Sequence, residues 1–148
     1  YTLGASYLFE DKGLISFDYE IEDFTKIKFS NSDYGADYFS TENTEMKDNM
    51  RVAQTFRLGA EAKLNKFYLR GGCAYKQSPY SSKMLNADAY TMLYAAGFGY
   101  NSGSTYIDFT YSLQTVSENY FMYNHSALPK AEIETSSGKF LLTVGFKF

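Results

Sequence analysis

Apolar and polar residues alternate with a period of two along most of this chain. In the second such run, one face would carry Ile15, Phe17, Tyr19, Ile21, Ile27 and Phe29. The other face would carry Ser16, Asp18, Glu20, Glu22, Lys26 and Lys28. An α-helix would mix these two sets because its period is 3.6 residues. Seven such runs follow one another, so the sequence predicts an all-β, antiparallel fold of about seven strands.

Short turns and long polar loops alternate between the predicted strands. Asn65-Lys66 and Ser102-Gly103 have the composition of tight hairpin turns. The long polar segments cover residues 30–50, 77–89 and about 117–138. Outer-membrane β-barrels have this asymmetry, with short periplasmic turns and long extracellular loops.

The turns also predict which residues face each other across the hairpins. A two-residue turn at Asn65-Lys66 would pair Leu64 with Phe67 and would set Glu61 opposite Arg70. Opposite charges facing each other across two strands stabilise a sheet, so we predict a charge pair on the polar face. By the same reasoning, a turn at Ser102-Gly103 predicts Phe98 opposite Ile107 and Tyr94 opposite Tyr111.

The solvent that the apolar face contacts decides between two kinds of barrel. The sequence has no apolar run of the length that a transmembrane helix needs. Aromatic residues lie near the ends of several runs, as in the interfacial girdles of membrane barrels; these are Tyr7, Phe9, Phe67, Tyr100, Phe146 and Phe148. A soluble barrel, the alternative, would hide its apolar residues inside and expose its charges. Loop asymmetry favours an antiparallel transmembrane β-barrel with lipid outside and a polar lumen.

Seven strands do not close such a barrel. Bacterial single-chain barrels have an even number of strands, eight or more, and open edges cannot be satisfied in lipid. The chain opens in a strand-like pattern without a signal peptide. We therefore expect residues 1–148 to be the C-terminal part of one barrel domain, completed by an N-terminal segment or by another chain.

Composition argues against several other classes of function. A net charge of -3 argues against a basic nucleic-acid binder, and Cys73 alone makes neither a disulfide framework nor a zinc knuckle. His125 and Ser126 are neighbours in a loop, which is poor geometry for a nucleophile and its base. We expect no enzyme, no cofactor and no metal. The acidic first loop, which includes Glu42 and Glu45, matches no calcium-loop spacing and is expected to be solvated.

Several apolar and aromatic residues fall on the predicted polar, lumen-facing side. The candidates for binding a hydrophobic ligand are Phe24, Tyr68, Leu93 and Tyr106. A pocket for such a ligand needs residues of this kind beside a few polar anchors. The same residues could instead pack against a plug or a loop.

Four segments resemble the FadL/TodX-type outer-membrane transport family of Bacteroidetes-like bacteria: Leu3–Glu20, Phe56–Glu61, Phe67–Gly72 and Gly97–Tyr100. The last nine residues look like the terminal-strand signal that the outer-membrane assembly machinery reads, with Phe146 and Phe148 as its aromatic positions. The likeness covers nearly the whole chain but only the second half of such a protein.

This resemblance implies a fourteen-stranded barrel whose N-terminal strands and hatch are absent from residues 1–148. It implies passive uptake of hydrophobic small molecules such as long-chain fatty acids across the outer membrane of a Gram-negative bacterium. The implied partners are outer-membrane lipid and lipopolysaccharide, the hydrophobic ligand and the assembly machinery, but no nucleic acid. The alternative is a barrel subunit, or a protein-binding scaffold or shuttle, acting with other outer-membrane subunits in a complex or secretion system.

Overall fold

The computed structural model describes residues 1–31, 33, 35, 37–122 and 129–147. They form one seven-stranded sheet in which every strand pairs antiparallel with its neighbour in the chain. The strands are β1 (Thr2–Leu8), β2 (Gly13–Asp23), β3 (Val52–Leu64), β4 (Phe67–Gln77), β5 (Tyr90–Asn101), β6 (Thr105–Tyr120) and β7 (Ala131–Phe146). The predicted all-β antiparallel class is confirmed. The sheet is not closed, so β1 and β7 each have one edge unpaired within the described part of the chain.

The β3–β4 hairpin has the predicted register. Asn65 has a φ of 58° in the turn, and Leu64 lies opposite Phe67. Glu61 lies opposite Arg70 as a consequence. A turn residue that tolerates the left-handed region therefore sets the register of the whole hairpin.

The β5–β6 hairpin differs from its prediction by two residues. Phe98 lies opposite Phe109 rather than Ile107, and the predicted pairing of Tyr94 with Tyr111 is likewise wrong. The turn is centred on Gly103 and the residue after it, because Gly103 has a φ of 101° and accepts this position without strain. A shift of two residues keeps every side chain on its face, so the predicted faces hold.

β2 ends earlier than its alternating pattern predicts. The Asp23 side chain accepts hydrogen bonds from the Thr25 backbone nitrogen at 3.2 Å and from the Thr25 hydroxyl at 2.6 Å. These bonds begin a 3₁₀ helix at Phe24–Lys26, which competes with the strand ladder. Ile27 and Phe29 therefore do not share a strand face with Ile15, contrary to the prediction.

The first predicted loop contains a helix that the sequence did not indicate, α1 (Ser40–Asn49). α1 has no apolar stripe, so it leaves no helical period in the sequence. Its position is fixed by Asn43, whose amide accepts from the Phe29 nitrogen at 2.7 Å and donates to the Phe29 oxygen at 3.0 Å. No described helix is both long enough and apolar enough to span a membrane.

The third predicted loop is shorter than expected. β6 continues to Tyr120 and β7 begins at Ala131, so most of the segment predicted as loop is paired strand. The extension is polar, for example Ser117 opposite Glu134. Its few apolar residues in β7, Ala131 and Ile133, lie at odd positions, whereas Phe140 and Leu142 lie at even ones, so the extension does not continue the alternation of that strand.

The sheet has almost no buried core of its own. Among the described hydrophobic residues, only Ala53 and Ala87 are buried. Large apolar side chains on one face are exposed, including Leu58 at 58% and Phe140 at 74%. Hydrophobic burial within the described residues is therefore small, and these residues leave the apolar face uncovered.

Candidate functional site

Ion pairs cross the polar face of the sheet. Arg57 donates to Glu20 at 2.5 Å between β3 and β2, and the Lys76 ammonium lies 3.2 Å from the Glu22 carboxylate. The third group is centred on Arg70. These side chains are a quarter to a half exposed, so each pair contributes little to stability. Their larger effect is to make this face polar and geometrically defined.

Arg70 joins three strands through two carboxylates. Its Nε donates to Glu61 on β3 at 2.6 Å, and its Nη1 donates to Asp108 on β6. β5 lies between Arg70 and Asp108, where it presents Gly97 and Gly99. A Cβ at Gly99 would overlap the Asp108 carboxylate and would lie 3.4 Å from Arg70 Nη1. Because the two glycines have no side chain, they leave space above β5 through which Arg70 reaches Asp108.

The Lys76–Glu22 pair crosses a strand in the same way. Lys76 is on β4 and Glu22 is on β2, so the pair passes over β3. The β3 residues beneath it are small: Ala53 is 1% exposed and Thr55 is 4% exposed. Small residues under a long charged side chain recur on this face, and they let charges two strands apart meet.

Two of the predicted ligand residues lie near the Arg70 cluster. Tyr68 is opposite Gly99, and its ring centroid is 5.3 Å from Arg70 Cζ, within cation–π range. Tyr106 is opposite Gly145, where a Cβ would overlap the Tyr106 ring. Both tyrosines are half-buried at the short-turn end of the sheet.

The other two predicted ligand residues lie elsewhere. Leu93 is the fourth residue of β5, towards the long-loop end of the sheet, and lies opposite Ala74 and Gln114. Phe24 opens the 3₁₀ helix at the long-loop end. The structure thus brings Tyr68 and Tyr106 to one end of the polar face and does not assemble all four candidates into one pocket.

The predicted assembly-signal residues are at the end of β7. Phe146 is the last residue of that strand, lies opposite Thr105 and is 64% exposed. Phe148 lies outside the described residues, as do His125 and Ser126. Cys73, a free and exposed thiol, lies opposite Leu58 on the apolar face.

The apolar face forms five consecutive rows across β3, β4, β5 and β6. From the short-turn end these rows are Leu64, Phe67, Tyr100 and Ile107; Ala62, Leu69, Phe98 and Phe109; Ala60, Gly71, Ala96 and Tyr111; Leu58, Cys73, Tyr94 and Leu113; and Phe56, Tyr75, Met92 and Thr115. Rows repeat every second residue, so the four intervals between the five rows span about 27 Å along a strand.

The segment between β4 and β5 is ordered by contacts that the sequence did not reveal. Arg51 donates through Nε to the Ser78 oxygen at 3.0 Å and through Nη2 to the Ala87 oxygen at 2.7 Å. Asn119 of β6 donates its backbone N–H to the Asn86 side chain at 2.7 Å. No local signal in the sequence indicates these bonds, because their partners are far apart in the chain.

The described residues contain no group of three or more His, Cys, Asp or Glu side chains placed to hold a metal ion. Comparisons with family models, with curated proteins and with solved structures gave no match.

Proposed function

We propose that the seven strands are part of the wall of an antiparallel transmembrane β-barrel in a bacterial outer membrane. The observation that carries this proposal is the uncovered five-row apolar band. At a strand tilt of about 40°, its length of about 27 Å along the strands becomes about 21 Å across the membrane. Membrane barrels have an apolar band about 25 Å tall, so the dimensions agree.

The polar face would then line the lumen. Its ion pairs are centred on Arg57, Arg70 and Lys76. Contact with lipid would desolvate these charges at a large cost in free energy, whereas a water-filled lumen keeps them solvated. A soluble sandwich would need a second layer on the apolar face, and the described residues supply none.

Closure is part of this proposal. Backbone groups at the outer edges of β1 and β7 would each cost several kcal/mol if left unpaired in lipid. Further strands must therefore pair with both edges. In the FadL/TodX-type arrangement that the sequence resembles, residues 1–148 would be the C-terminal part of a fourteen-stranded barrel.

For activity, we propose passive uptake of hydrophobic small molecules such as long-chain fatty acids, without catalysis. This rests on the sequence resemblance and on the mixed character of the polar face. Tyr68 and Tyr106 lie near a charged cluster, and Leu93 lies opposite one apolar residue, Ala74, and one polar residue, Gln114. Apolar surface beside a few polar anchors is what a hydrophobic ligand with a polar group requires.

Uptake of a labelled long-chain fatty acid by cells that carry the full-length protein tests this activity. We expect the double variant Tyr68→Arg, Tyr106→Arg to at least halve the protein-dependent rate of uptake, because two long cationic side chains would narrow the route of an apolar ligand. The control is Glu10→Arg, in the β1–β2 turn. Normal membrane assembly with no protein-dependent uptake in the unsubstituted protein would refute transport.

A second function, a protein-binding scaffold in an outer-membrane complex, is favoured by one observation. The segment between β4 and β5 is held by Arg51 and Asn119, and α1 is held by Asn43. An ordered surface binds a protein partner without a large ordering cost. Recovery of a stoichiometric partner with the assembled protein, together with no uptake, would favour this function.

A further inference from the structure

An apolar groove lies between α1 and the segment that joins β4 to β5. Its walls are Phe29, Met46, Met50, Tyr80 and Met84, and its volume is about 300 Å³. It lies at the long-loop end of the sheet, away from Tyr68 and Tyr106.

Backbone bonds fix the two sides of this groove relative to each other. The Ser81 nitrogen donates to the Asn49 oxygen at 2.9 Å, and Met50 forms an isolated antiparallel bridge with Tyr80. The Asn43 amide holds Phe29 against α1 from the other side. The groove is therefore built by contacts between segments and is not a gap between loose loops.

The charge at the groove is one-sided. Glu42 and Glu45 line it from α1, one helical turn apart, and its described lining includes no lysine or arginine. A second groove that shares Met84 is lined by Arg51, Lys83 and Lys130, with Asp88 beside them. The charged residues of the two grooves therefore sum to opposite signs.

We propose that the groove between α1 and the β4–β5 segment binds small hydrophobic cations, of the class of arylalkyl amines. The apolar body would lie against the methionines, whose flexible thioethers adapt to different shapes. The ammonium group would lie near Glu42 and Glu45, in a groove whose lining also includes the aromatic residues Phe29 and Tyr80, with which a cation can interact. This goes beyond the proposed function, because binding here requires no passage through a lumen.

Calorimetric titration of the purified full-length protein in nanodiscs tests the proposal, with empty nanodiscs as the blank. Phenylbutylamine is the probe, and phenylbutanol is its uncharged counterpart of nearly equal size. Contacts with two exposed carboxylates should make the amine bind about tenfold more tightly than the alcohol.

The double variant Glu42→Gln, Glu45→Gln should remove that preference while leaving the alcohol unchanged. The matched control is Asp48→Asn, an exposed α1 carboxylate that does not line the groove. Met46→Gln should weaken both ligands, because it makes the wall polar. The proposal is overturned if the unsubstituted protein binds neither ligand measurably, if it binds both equally, or if the double glutamine variant keeps the preference.

Discussion

Replacing Leu58 by lysine tests whether the apolar face contacts lipid. Leu58 is on β3 in the fourth of the five apolar rows, well inside the band. Its side chain is 58% exposed, so lysine fits without a steric clash and its cost comes from the surrounding solvent. Lysine on the lipid face costs about 2–4 kcal/mol at the bilayer midplane and less towards the interfaces. Leu58 is one row from the middle of the five, so we expect a cost of about 2 kcal/mol, which is a fold-change of about 30 in the folding equilibrium.

Two other leucines supply matched controls. Leu64 lies on the same strand and the same face and is also 58% exposed, but it is in the row at the short-turn end. Leu64→Lys should cost only about 0–1 kcal/mol, because the penalty falls near the interface. Leu93 is on the opposite face and is 38% exposed, and Leu93→Lys should cost little in a water-filled lumen.

The assay is reversible urea unfolding of the full-length protein in lipid vesicles, followed by the mobility of unboiled protein on a gel. We expect the free energy of unfolding to fall most for Leu58→Lys and least for Leu64→Lys and Leu93→Lys. The depth dependence separates lipid from a packed protein layer, which would penalise both β3 positions alike. Equal losses at Leu58 and Leu93 would refute the assignment of the two faces.

Three further predictions concern the polar face, the long-loop end and the last strand. Gly99→Ala should separate Arg70 from Asp108 and lower the free energy of unfolding by about 1 kcal/mol. This loss should be smaller in an Asp108→Asn background. An equal loss in both backgrounds would contradict the bridging role of Arg70. Arg51→Lys should lose at least one of the two hydrogen bonds to carbonyl oxygens, each worth about 1.5–3 kcal/mol. Proteinase K should then cut the β4–β5 segment faster. Unchanged cleavage would count against Arg51 as the anchor of this segment. Phe146→Ser should slow appearance of the folded form in the membrane at least severalfold in a pulse-chase experiment, whereas wild-type kinetics would remove Phe146 from the assembly signal.

The predictions that held depend on local geometry. Alternation assigns a side chain to a face whatever its partner strand, so the faces of β3, β4, β5 and β6 follow from the sequence. The Asn65 turn fixed a register because only one placement of that hairpin kept its apolar face and its charge pair together. The Gly103 turn had two placements that preserved the faces. The Asn101 side chain, which accepts from the Gly103 nitrogen at 2.9 Å, holds the one that the structure adopts.

Two of the predictions that failed concern segments without a period. α1 has no apolar stripe, and the ends of β6 and β7 near Ser117 and Glu134 are polar on positions that alternate elsewhere. Pattern reasoning assigns such segments to loops. Tertiary pairing makes the ends of β6 and β7 a continuation of the sheet. A strand already in register extends by backbone hydrogen bonds, which need no apolar side chains.

The sequence alone determined a chain of two-faced antiparallel strands, because side-chain direction in a strand depends only on the parity of the position. Only the tertiary structure decided that Arg70 reaches Asp108 across β5, and that α1 and the β4–β5 segment enclose a groove around Met46 and Met84. These contacts join residues on segments that are not adjacent, paired strands. They depend on summed registers, on glycines that leave space between two charges, and on single hydrogen bonds such as that from Ser81 to Asn49. No period in the sequence carries that information.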